Sequence, residues 1–220
     1  MNRGARVVYR ILRAILHGAT KLWFRVSVAG VEHVPSSGGY ILAPGAHRSI
    51  LDTPIASLAG PRVLRYMGAE NYFEIPVFGS FLRAMGGFAV ERSMTDRAAL
   101  RAAETVLARG EPLVVFPEGT RQEGPLIGEM KEGASFLACR SDVPIVPVGI
   151  GGADRALPKG KKIPRPRKIT VVIGEPLRPP NSGGVDGKSR VKRSSVRALT
   201  EELRVSLQAL YDEAQRQAGV

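Results

Sequence analysis

The chain has 220 residues, an apolar content of 44% that is ordinary for a globular protein, and a formal net charge of +12 at pH 7. This length suits one domain with a buried core, and the charge indicates an anionic partner: a lipid surface, a nucleic acid or a phosphorylated substrate. The only cysteine, Cys139, excludes an internal disulfide and a Cys/His zinc site, and no apolar run reaches the roughly 18 residues needed to span a bilayer.

Residues 4–23 alternate basic and apolar positions at helical spacing, which predicts an amphipathic helix. The polar face is purely cationic, since no acid precedes Glu32, and Trp23 suits the level of lipid headgroups. Packing on the protein's own core is the alternative explanation. We expect residues 1–23 to lie on an anionic membrane as a peripheral contact, at the cytoplasmic face of the cell membrane. The basic stripe comprises Arg3, Arg6, Arg10, Arg13, His17, Lys21 and Arg25, and the opposite side carries Val8, Ile11, Leu12, Ile15, Leu16, Leu22 and Trp23.

Short apolar runs bounded by Gly or Pro then alternate with helical stretches, which predicts a single α/β domain with a mixed, largely parallel sheet flanked by helices. We expect this domain to cover residues 24–178, with an exposed basic loop at 155–168. A flexible linker and a C-terminal helix should follow in residues 179–220. The predicted strands lie at about 24–31, 40–43, 87–90, 113–116, 145–148 and 169–173, and the predicted helices at about 51–59, 95–109, 131–140 and 195–217.

The segment from Gly45 to Asp52 follows one of these strands and contains a histidine and a carboxylate. His47 and Asp52 are five positions apart, so they can meet only if His47 lies in a loop and Asp52 in the first turn of the next helix. Ser49-Ile-Leu-Asp52 has the form of a capping box, with Ser49 as N-cap and Asp52 at N3. Asp52 would then bind one imidazole nitrogen and leave the other as a base, as in half of a serine-protease triad. An ordinary loop histidine beside a helix cap is the alternative.

The segment from Val115 to Arg121 ends a second predicted strand in a charged turn. Gly119 permits the backbone to approach a ligand closely, and Arg121 can hold a phosphate through two hydrogen bonds. Glu118, Gly119, Thr120 and Arg121 are therefore candidate substrate contacts. Taken alone, the segment is also compatible with a surface turn that carries solvated charges.

A third segment, from Gly86 to Arg92, places another arginine after a predicted strand. Ligand sites in α/β sheets collect beyond the carboxyl ends of strands. We therefore expect His47, Arg92, Glu118 and Arg121 to share one crevice. No serine or cysteine need supply a nucleophile there, because a substrate hydroxyl can do so.

Three other chemistries fit the sequence less well. A nucleic-acid binder would explain the charge, but aromatic residues are not interleaved with the basic ones and no standard module signature occurs. The run Asp186-Gly-Lys-Ser189 resembles the end of a P-loop, yet Ser182 stands where that motif needs glycine. Cys139 lies in an apolar helical stretch, which favours a buried thiol over an acyl-enzyme nucleophile.

Together the segments resemble the glycerolipid acyltransferases, a family that includes 1-acylglycerol-3-phosphate acyltransferase. His47-Arg-Ser-Ile-Leu-Asp52 matches that family's His-x4-Asp motif, and Phe116-Pro-Glu-Gly-Thr-Arg121 matches its most recognisable block. Gly87-Phe-Ala-Val-Glu-Arg92 is similar to its second motif and Val143-Pro-Ile-Val-Pro-Val148 to its fourth. Order and spacing also agree, over about residues 24–178.

The resemblance implies specific roles for the charged residues. His47 would be a base oriented by Asp52, and Arg92 and Arg121 would hold the acceptor phosphate with help from the neighbouring Glu118 and Gly119. Many members carry asparagine before the histidine, whereas this chain has Ala46.

The expected activity is transfer of a fatty acyl group from acyl-CoA or acyl carrier protein to the free hydroxyl of 1-acylglycerol-3-phosphate. No metal and no cofactor beyond that acyl co-substrate is expected. Another lysophospholipid or a phosphorylated glycolipid is the alternative acceptor, and a non-enzymatic protein that binds anionic lipid or nucleic acid is a more remote alternative. The expected partners are therefore the lysophosphatidate-type acceptor, the acyl donor and an anionic membrane surface, and no nucleic acid.

Overall fold

The computed structural model describes residues 3–60, 62–90, 96–158, 160–180 and 191–220, and within them a seven-stranded sheet forms the centre of the molecule. The strands are β1 (Ser27–Ala29), β2 (Ile41–Pro44), β3 (Arg65–Ala69), β4 (Gly87–Val90), β5 (Leu113–Val114), β6 (Ile145–Gly151) and β7 (Thr170–Ile173). The helices are α1 (Arg3–Phe24), α2 (Asp52–Ala56), α3 (Glu70–Glu74), α4 (Phe78–Ala84), α5 (Asp96–Ala108), α6 (Gly133–Ser141), α7 (Ala153–Ala156) and α8 (Arg193–Ala218), and a short 3-10 turn covers Val31–His33.

The strand order is β1-β7-β6-β2-β5-β3-β4, and neighbouring strands are parallel except for the antiparallel pair β6–β7. Five strands therefore run in one direction and two in the other. The mixed, largely parallel sheet with flanking helices that the sequence predicts is confirmed. Because β2, β5, β3 and β4 share one direction, their carboxyl ends lie at the same edge of the sheet.

Each face of the sheet is covered by its own set of helices. Adjacent residues of a strand point to opposite faces, so Ile41 packs in one core and Leu42 in the other. The first core lies under α5, α6 and α8, and the second under α2, α7 and the end of α1 at Phe24. This division follows from right-handed crossovers: the chain moves outward from β2 through β3 to β4 along one face and returns to β5 along the other.

Helix α8 is packed into the first core. Leu203, Leu207 and Tyr211 are buried against it, and a Cβ on Gly149 would meet the Leu210 carbonyl oxygen at 2.3 Å. Glycine therefore permits the helix backbone to lie directly on β6. Residues 181–190, which include most of the predicted linker, lie outside the described residues.

Several elements differ from those expected from the sequence. The strand predicted at 24–31 is shorter, because α1 continues to Phe24 and only Ser27–Ala29 pair with β7. Strand β3 and helices α3 and α4 are additional elements that the sequence patterns do not predict. Arg65-Tyr-Met-Gly-Ala69 contains no β-branched residue, so its strand conformation depends on pairing with β4 and β5 rather than on local propensity.

Candidate active site

The candidate site lies at the edge of the sheet where β2 and β5 end. These strands are parallel neighbours, with Ile41 paired to Leu113, so the segments that follow them emerge side by side. Backbone contacts join the two segments directly: the Gln122 amide donates to the His47 carbonyl oxygen at 2.8 Å. The sheet thus brings together two sequence segments that stand about seventy positions apart, as the carboxyl-end rule predicts.

His47 lies in the loop after β2, and Asp52 opens helix α2. The Nδ1 atom of His47 is 3.1 Å from Oδ2 of Asp52. That carboxylate is 2% exposed, while the imidazole is 17% exposed. With Nδ1–H donating to Asp52, the proton-free nitrogen is Nε2, which forms no hydrogen bond with any described residue. The pair is therefore a buried carboxylate that holds a partly exposed imidazole in the tautomer that a base requires.

The same Asp52 oxygen also fixes the loop backbone. It accepts hydrogen bonds from the amides of Arg48, at 2.8 Å, and Ser49, at 2.7 Å. Three donors on one oxygen restrain the loop on both sides of the histidine.

The predicted capping box forms only in part. The Asp52 carboxylate reaches back to the Ser49 amide, as expected, but α2 begins at Asp52 with Leu51 as its N-cap, not with Ser49. The Ser49 hydroxyl accepts from the Leu51 amide at 3.3 Å and donates to the Leu157 carbonyl oxygen at 2.9 Å. Ser49 is buried, and its hydroxyl links the loop to the region after α7.

The imidazole is also held by stacking. The ring centroids of His47 and Phe116 are 4.2 Å apart at an interplanar angle of 32°. The residue before the histidine, Ala46, has φ of +55°, a conformation that non-glycine residues rarely adopt. The loop thus accepts local strain where it positions the histidine, which is typical of functional sites.

Glu118 is buried behind the loop that carries His47. It is 2% exposed, and its Oε2 accepts from the His47 amide at 2.7 Å while Oε1 accepts from the Gly128 amide at 2.8 Å. Both oxygens are thus occupied by backbone amides. The sequence predicts a substrate contact for this residue; its contacts instead favour a role in bracing the loop that carries His47.

Gly119, Thr120 and Arg121 form the exposed rim beside Glu118. Gly119 has φ of +72°, which a side chain would disfavour, and the Thr120 hydroxyl accepts from the Gln122 side-chain amide at 3.0 Å. Arg121 forms no ion pair or side-chain hydrogen bond with any described residue. Its guanidinium is therefore available to an anion from solvent.

Lys131 is a rim residue that the sequence does not reveal. A Cβ built on Gly119 would meet the Lys131 ammonium nitrogen at 2.9 Å, and the Lys131 amide donates to the Pro117 carbonyl oxygen at 2.8 Å. The lysine therefore folds over Gly119 and adds a second cation to the rim that carries Arg121. Ten positions of chain separate it from Arg121, so only the fold of the intervening loop brings it here.

Arg48 is a second residue that the sequence does not single out. It follows the histidine directly but is buried, and its Nη2 donates to the Leu126 carbonyl oxygen. Its guanidinium carbon is 5.7 Å from the centre of the Tyr211 ring on α8. The arginine therefore ties the histidine loop to the C-terminal helix. Arg92 lies outside the described residues; the strand before it, β4, ends at the same edge of the sheet as β5.

Comparisons with known proteins agree with this architecture. The chain resembles a solved structure, the 1-acyl-sn-glycerophosphate acyltransferase PlsC from Thermotoga maritima, with a TM-score of 0.74 and 24% sequence identity. The match covers 94% of this chain and 80% of that one. At this identity the likeness shows the fold alone.

Two relatives of known sequence have names similar to that of the solved structure. A 1-acyl-sn-glycerol-3-phosphate acyltransferase from Chlamydomonas reinhardtii is 28% identical over 84% of this chain and 56% of its own length. A 1-acyl-sn-glycerol-3-phosphate acyltransferase from Bacillus subtilis is 27% identical over 84% of this chain and 87% of its own length. The chain thus spans about half the length of the plant and algal relatives that it matches and most of the bacterial one.

A family model described as Acyltransferase matches residues 25–151, which is more than half of the chain and includes both segments of the candidate site. The chain therefore belongs to this acyltransferase family.

Proposed function

We propose that the protein transfers a fatty acyl group from a thioester donor, acyl-CoA or acyl carrier protein, to the free hydroxyl of 1-acylglycerol-3-phosphate. The observation that carries the proposal is the contact of His47 with the buried Asp52, beside an Arg121 guanidinium that pairs with no described residue. A base and a phosphate-binding residue at one edge of a sheet fit an acceptor that carries both a hydroxyl and a phosphate. The relatives named as 1-acyl-sn-glycerol-3-phosphate acyltransferases support the same acceptor.

The reaction requires one proton to move twice. Nε2 of His47 takes the proton of the acceptor hydroxyl as that oxygen attacks the thioester carbonyl carbon. The negative charge of Asp52 stabilises the imidazolium that forms. The tetrahedral intermediate then collapses, the carbon–sulfur bond breaks, and the imidazolium returns the proton to the leaving sulfur. The products are the ester and a free thiol, so atoms and charge balance without a covalent enzyme intermediate.

Arg121 and Lys131 would hold the acceptor phosphate at the rim, and Arg92 would join them as the third cation. Lys131 adds charge beside the backbone of Gly119, because the absence of a side chain there leaves the space that the lysine side chain occupies. Glu118 does not oppose this role, because both of its oxygens are occupied by amides and the residue is buried. The acceptor would thus be held by its phosphate while its hydroxyl faces His47.

We also propose that the protein acts at an anionic membrane surface, as a peripheral protein at the cytoplasmic face of the cell membrane. Helix α1 supports this location, because its apolar side is turned away from the protein: Ile11, Ile15, Leu22 and Trp23 are all exposed, with Leu22 at 85%. Among the described residues, every helix is too short or too polar to span a bilayer.

The other side of α1 packs on the domain. Tyr9, Thr20 and Phe24 are buried, and Arg13 donates through Nε to the Ser57 carbonyl oxygen at 3.1 Å and through Nη2 to the Gly60 carbonyl oxygen at 2.6 Å. One member of the predicted basic stripe therefore binds the domain.

The remaining cations of α1 include Arg10, His17 and Lys21, which are exposed for contact with anionic lipid. Partial burial lowers the pKa of His17, and the neighbouring positive charges of Arg13 and Lys21 lower it further. His17 therefore contributes the least positive charge of the three.

The decisive experiment is an acceptor panel with purified protein and radiolabelled acyl-CoA, repeated with acyl carrier protein as donor. We expect 1-acylglycerol-3-phosphate to be acylated faster than other lysophospholipids, a phosphorylated glycolipid or monoacylglycerol. If a phosphorylated glycolipid is acylated fastest, the proposed acyl transfer stands but the proposed acceptor is wrong. Absence of transfer to every acceptor from either donor would reject the enzymatic proposal.

A further inference from the structure

The connection between α3 and α4 exposes large apolar side chains that no other described part of the chain covers. We call residues 72–81 the apolar turn. Val77 is 82% exposed, which is unusual for a residue of this kind in a folded domain. The exposed set comprises Tyr72, Ile75, Val77, Phe78 and Phe81.

The buried Phe73 side chain anchors the apolar turn to the sheet. Phe73 is 4% exposed and packs on glycines of β3 and β4, since a Cβ on Gly68 or Gly87 would meet its ring at 2.9 or 3.1 Å. Arg83 donates from Nη2 to the Phe73 carbonyl oxygen at 2.8 Å and lies over the same ring. The buried slot is therefore already filled, and the other apolar side chains of the turn are held outward.

The tip of the turn is also strained. Val77 has φ of +66° and ψ of −54°, and the Phe78 amide donates to the Pro76 carbonyl oxygen at 2.7 Å. These values describe the rare form of the three-residue γ-turn, which is costly for a β-branched residue. Backbone hydrogen bonds within the turn hold this conformation, but no described residue covers the exposed tip, which indicates a partner outside the chain.

Two features identify that partner as a lipid bilayer. Helix α3 directly follows β3, which is parallel to β2 and β5, so the turn begins at the same edge of the sheet as His47 and Arg121. Helix α4 contacts α1, whose exposed apolar side faces away from the protein. A second copy of this chain fits poorly, because each copy carries a formal charge of +12.

We propose that the apolar turn is a second membrane-docking element, which inserts Val77 and Phe78 into the bilayer while α1 lies on its surface. The choice of a bilayer rests on the proposed function, in which the acceptor is a membrane lipid. Two separated contacts fix the orientation of the protein as well as its location. The edge of the sheet that carries the candidate site then lies near the lipid, and an acceptor can reach His47 without leaving the membrane completely.

The first test is flotation with lysolipid-free vesicles of phosphatidylcholine and phosphatidylglycerol. The double variant Val77→Ser/Phe78→Ser should bind these vesicles about tenfold more weakly than wild type, since two apolar side chains are no longer buried in lipid. The control Val205→Ser changes an equally apolar residue, 55% exposed, on α8 at the opposite face of the sheet, and should bind like wild type. Equal flotation of the double variant and wild type would overturn the proposal, as would a wild type that does not float.

The second test locates the tip directly and does not depend on the stability of the double variant. Trp23 is the only tryptophan, so Trp23→Phe gives a background in which Phe78→Trp reports from the turn and Val205→Trp from the opposite face. The emission of the Phe78→Trp protein should shift to shorter wavelength with vesicles and be quenched by lipids brominated on their acyl chains. The Val205→Trp protein should show neither effect.

Two outcomes separate this inference from the proposed function. The vesicles contain no acceptor, so docking through the turn by a protein that acylates no lysolipid would reject the function and keep the inference. A shift of the Phe78→Trp emission that requires added monomeric lysolipid, and is absent with vesicles alone, would assign the turn to the substrate chain and overturn docking.

Discussion

The His47–Asp52 loop and helix α1 both depart from the usual distribution of residues in a folded protein, in which charged groups are exposed and apolar side chains are buried. The loop and the segment that braces it bury charged groups, with Asp52 and Glu118 each 2% exposed, whereas α1 exposes apolar side chains such as Ile15 at 63%. Folded proteins normally avoid both arrangements, because a buried charge and an exposed apolar stripe each cost free energy. The loop recovers that cost within the chain, through amide donors to both carboxylates, and α1 can recover it only from a partner outside.

This difference separates two kinds of functional surface. Donors within the chain hold Oδ2 of Asp52 and both oxygens of Glu118 in place, so the site is preorganised and substitutions there should act on the rate of a chemical step. Substitutions on a surface that exposes apolar side chains should instead change how tightly the protein binds the partner that covers them. Substitutions in the loop and in α1 should therefore have effects of different kinds.

The largest effect is expected for the base. His47→Ala should lower kcat by at least about a thousandfold, because no other described group is placed to take the hydroxyl proton, and Asp52→Asn should lower it by a smaller but large factor. Steady-state rates with radiolabelled acyl-CoA provide the measurement. Cys139→Ala is the control and should retain wild-type turnover, since this thiol is buried and its burial raises its pKa.

A folded His47→Ala protein that keeps most of its turnover would show that the proposed mechanism is wrong. A Cys139→Ala protein that folds but has no turnover would instead point to an acyl-enzyme.

Glu118→Gln should have the next largest effect. Glutamine keeps the size of the side chain but puts an NH2 group against one of two amide donors, so one hydrogen bond is removed and a repulsive contact is added. We expect a decrease of about 1–3 kcal/mol in unfolding free energy and a fall of about ten- to a hundredfold in kcat, with a smaller change in KM for the acceptor. Denaturant unfolding and kinetics would measure both.

Glu129→Gln is the matched control, because Glu129 is exposed in the same loop. If Glu118→Gln changes KM for the acceptor and leaves kcat intact, Glu118 contacts substrate after all, and the bracing role is rejected.

The rim cations should affect acceptor use rather than the chemical step in general. Arg121→Ala, Lys131→Ala and Arg92→Ala should each lower kcat/KM for 1-acylglycerol-3-phosphate by an amount equivalent to about 1.5–3 kcal/mol, the usual value of a hydrogen bond to a charged group. With monoacylglycerol, which lacks the phosphate and should be a poor acceptor, the same variants should match wild type. Arg101→Ala on α5 is a control for the removal of one exposed cation.

Equal decreases with and without the acceptor phosphate would remove the role proposed for these residues. A decrease for Arg121→Ala alone would restrict that role to the arginine and leave Lys131 as a packing residue over Gly119.

The smallest effect on turnover is expected for α1. Ile11→Ser/Ile15→Ser should weaken binding to anionic vesicles about tenfold, because less apolar surface is buried in lipid, while kcat on a soluble short-chain acceptor stays at the wild-type value. Trp23, on the same side of the helix, supplies the measurement, since its emission should shift to shorter wavelength as α1 meets lipid. High salt should weaken binding too, because it screens the attraction between anionic lipid and the basic residues near the surface, each of which contributes about 1 kcal/mol at most.

A variant lacking residues 1–22 extends this test. If that shortened protein remains folded and sediments with anionic vesicles as well as wild type, α1 is not the anchor. The exposed basic residues of 155–168, such as Lys161 and Arg165, would then become the better candidates.

The sequence predicts contacts between site residues that are close in the chain better than contacts between residues that are far apart. His47 and Asp52 are close in the chain, and a loop followed by a helix is enough to bring them together, so their contact can be expected without the tertiary structure. The full set of contacts of Ser49 cannot, because its hydroxyl accepts from the nearby Leu51 amide and also donates to the distant carbonyl oxygen of Leu157. The second hydrogen bond exists only because the fold brings Leu157 to the loop.

The elements that the sequence does not reveal have a common physical reason. Strand β3 lacks β-branched residues and helices α3 and α4 are short, so neither propensity nor periodicity gives a strong signal. Their conformations are stabilised by pairing with neighbouring strands and by Phe73 on the glycines of β3 and β4. The apolar turn follows from those contacts and is therefore not predictable from the sequence either.

The amino-acid sequence by itself determined the α/β class, the amphipathic character of α1 and the segments that carry the chemistry, because each depends on spacing along the chain. Only the tertiary structure decided which way these groups face. It turned the apolar side of α1 outward, buried Glu118 behind His47 and brought Lys131 over Gly119. Orientation depends on contacts between residues far apart in sequence, and periodicity alone contains no information about those contacts.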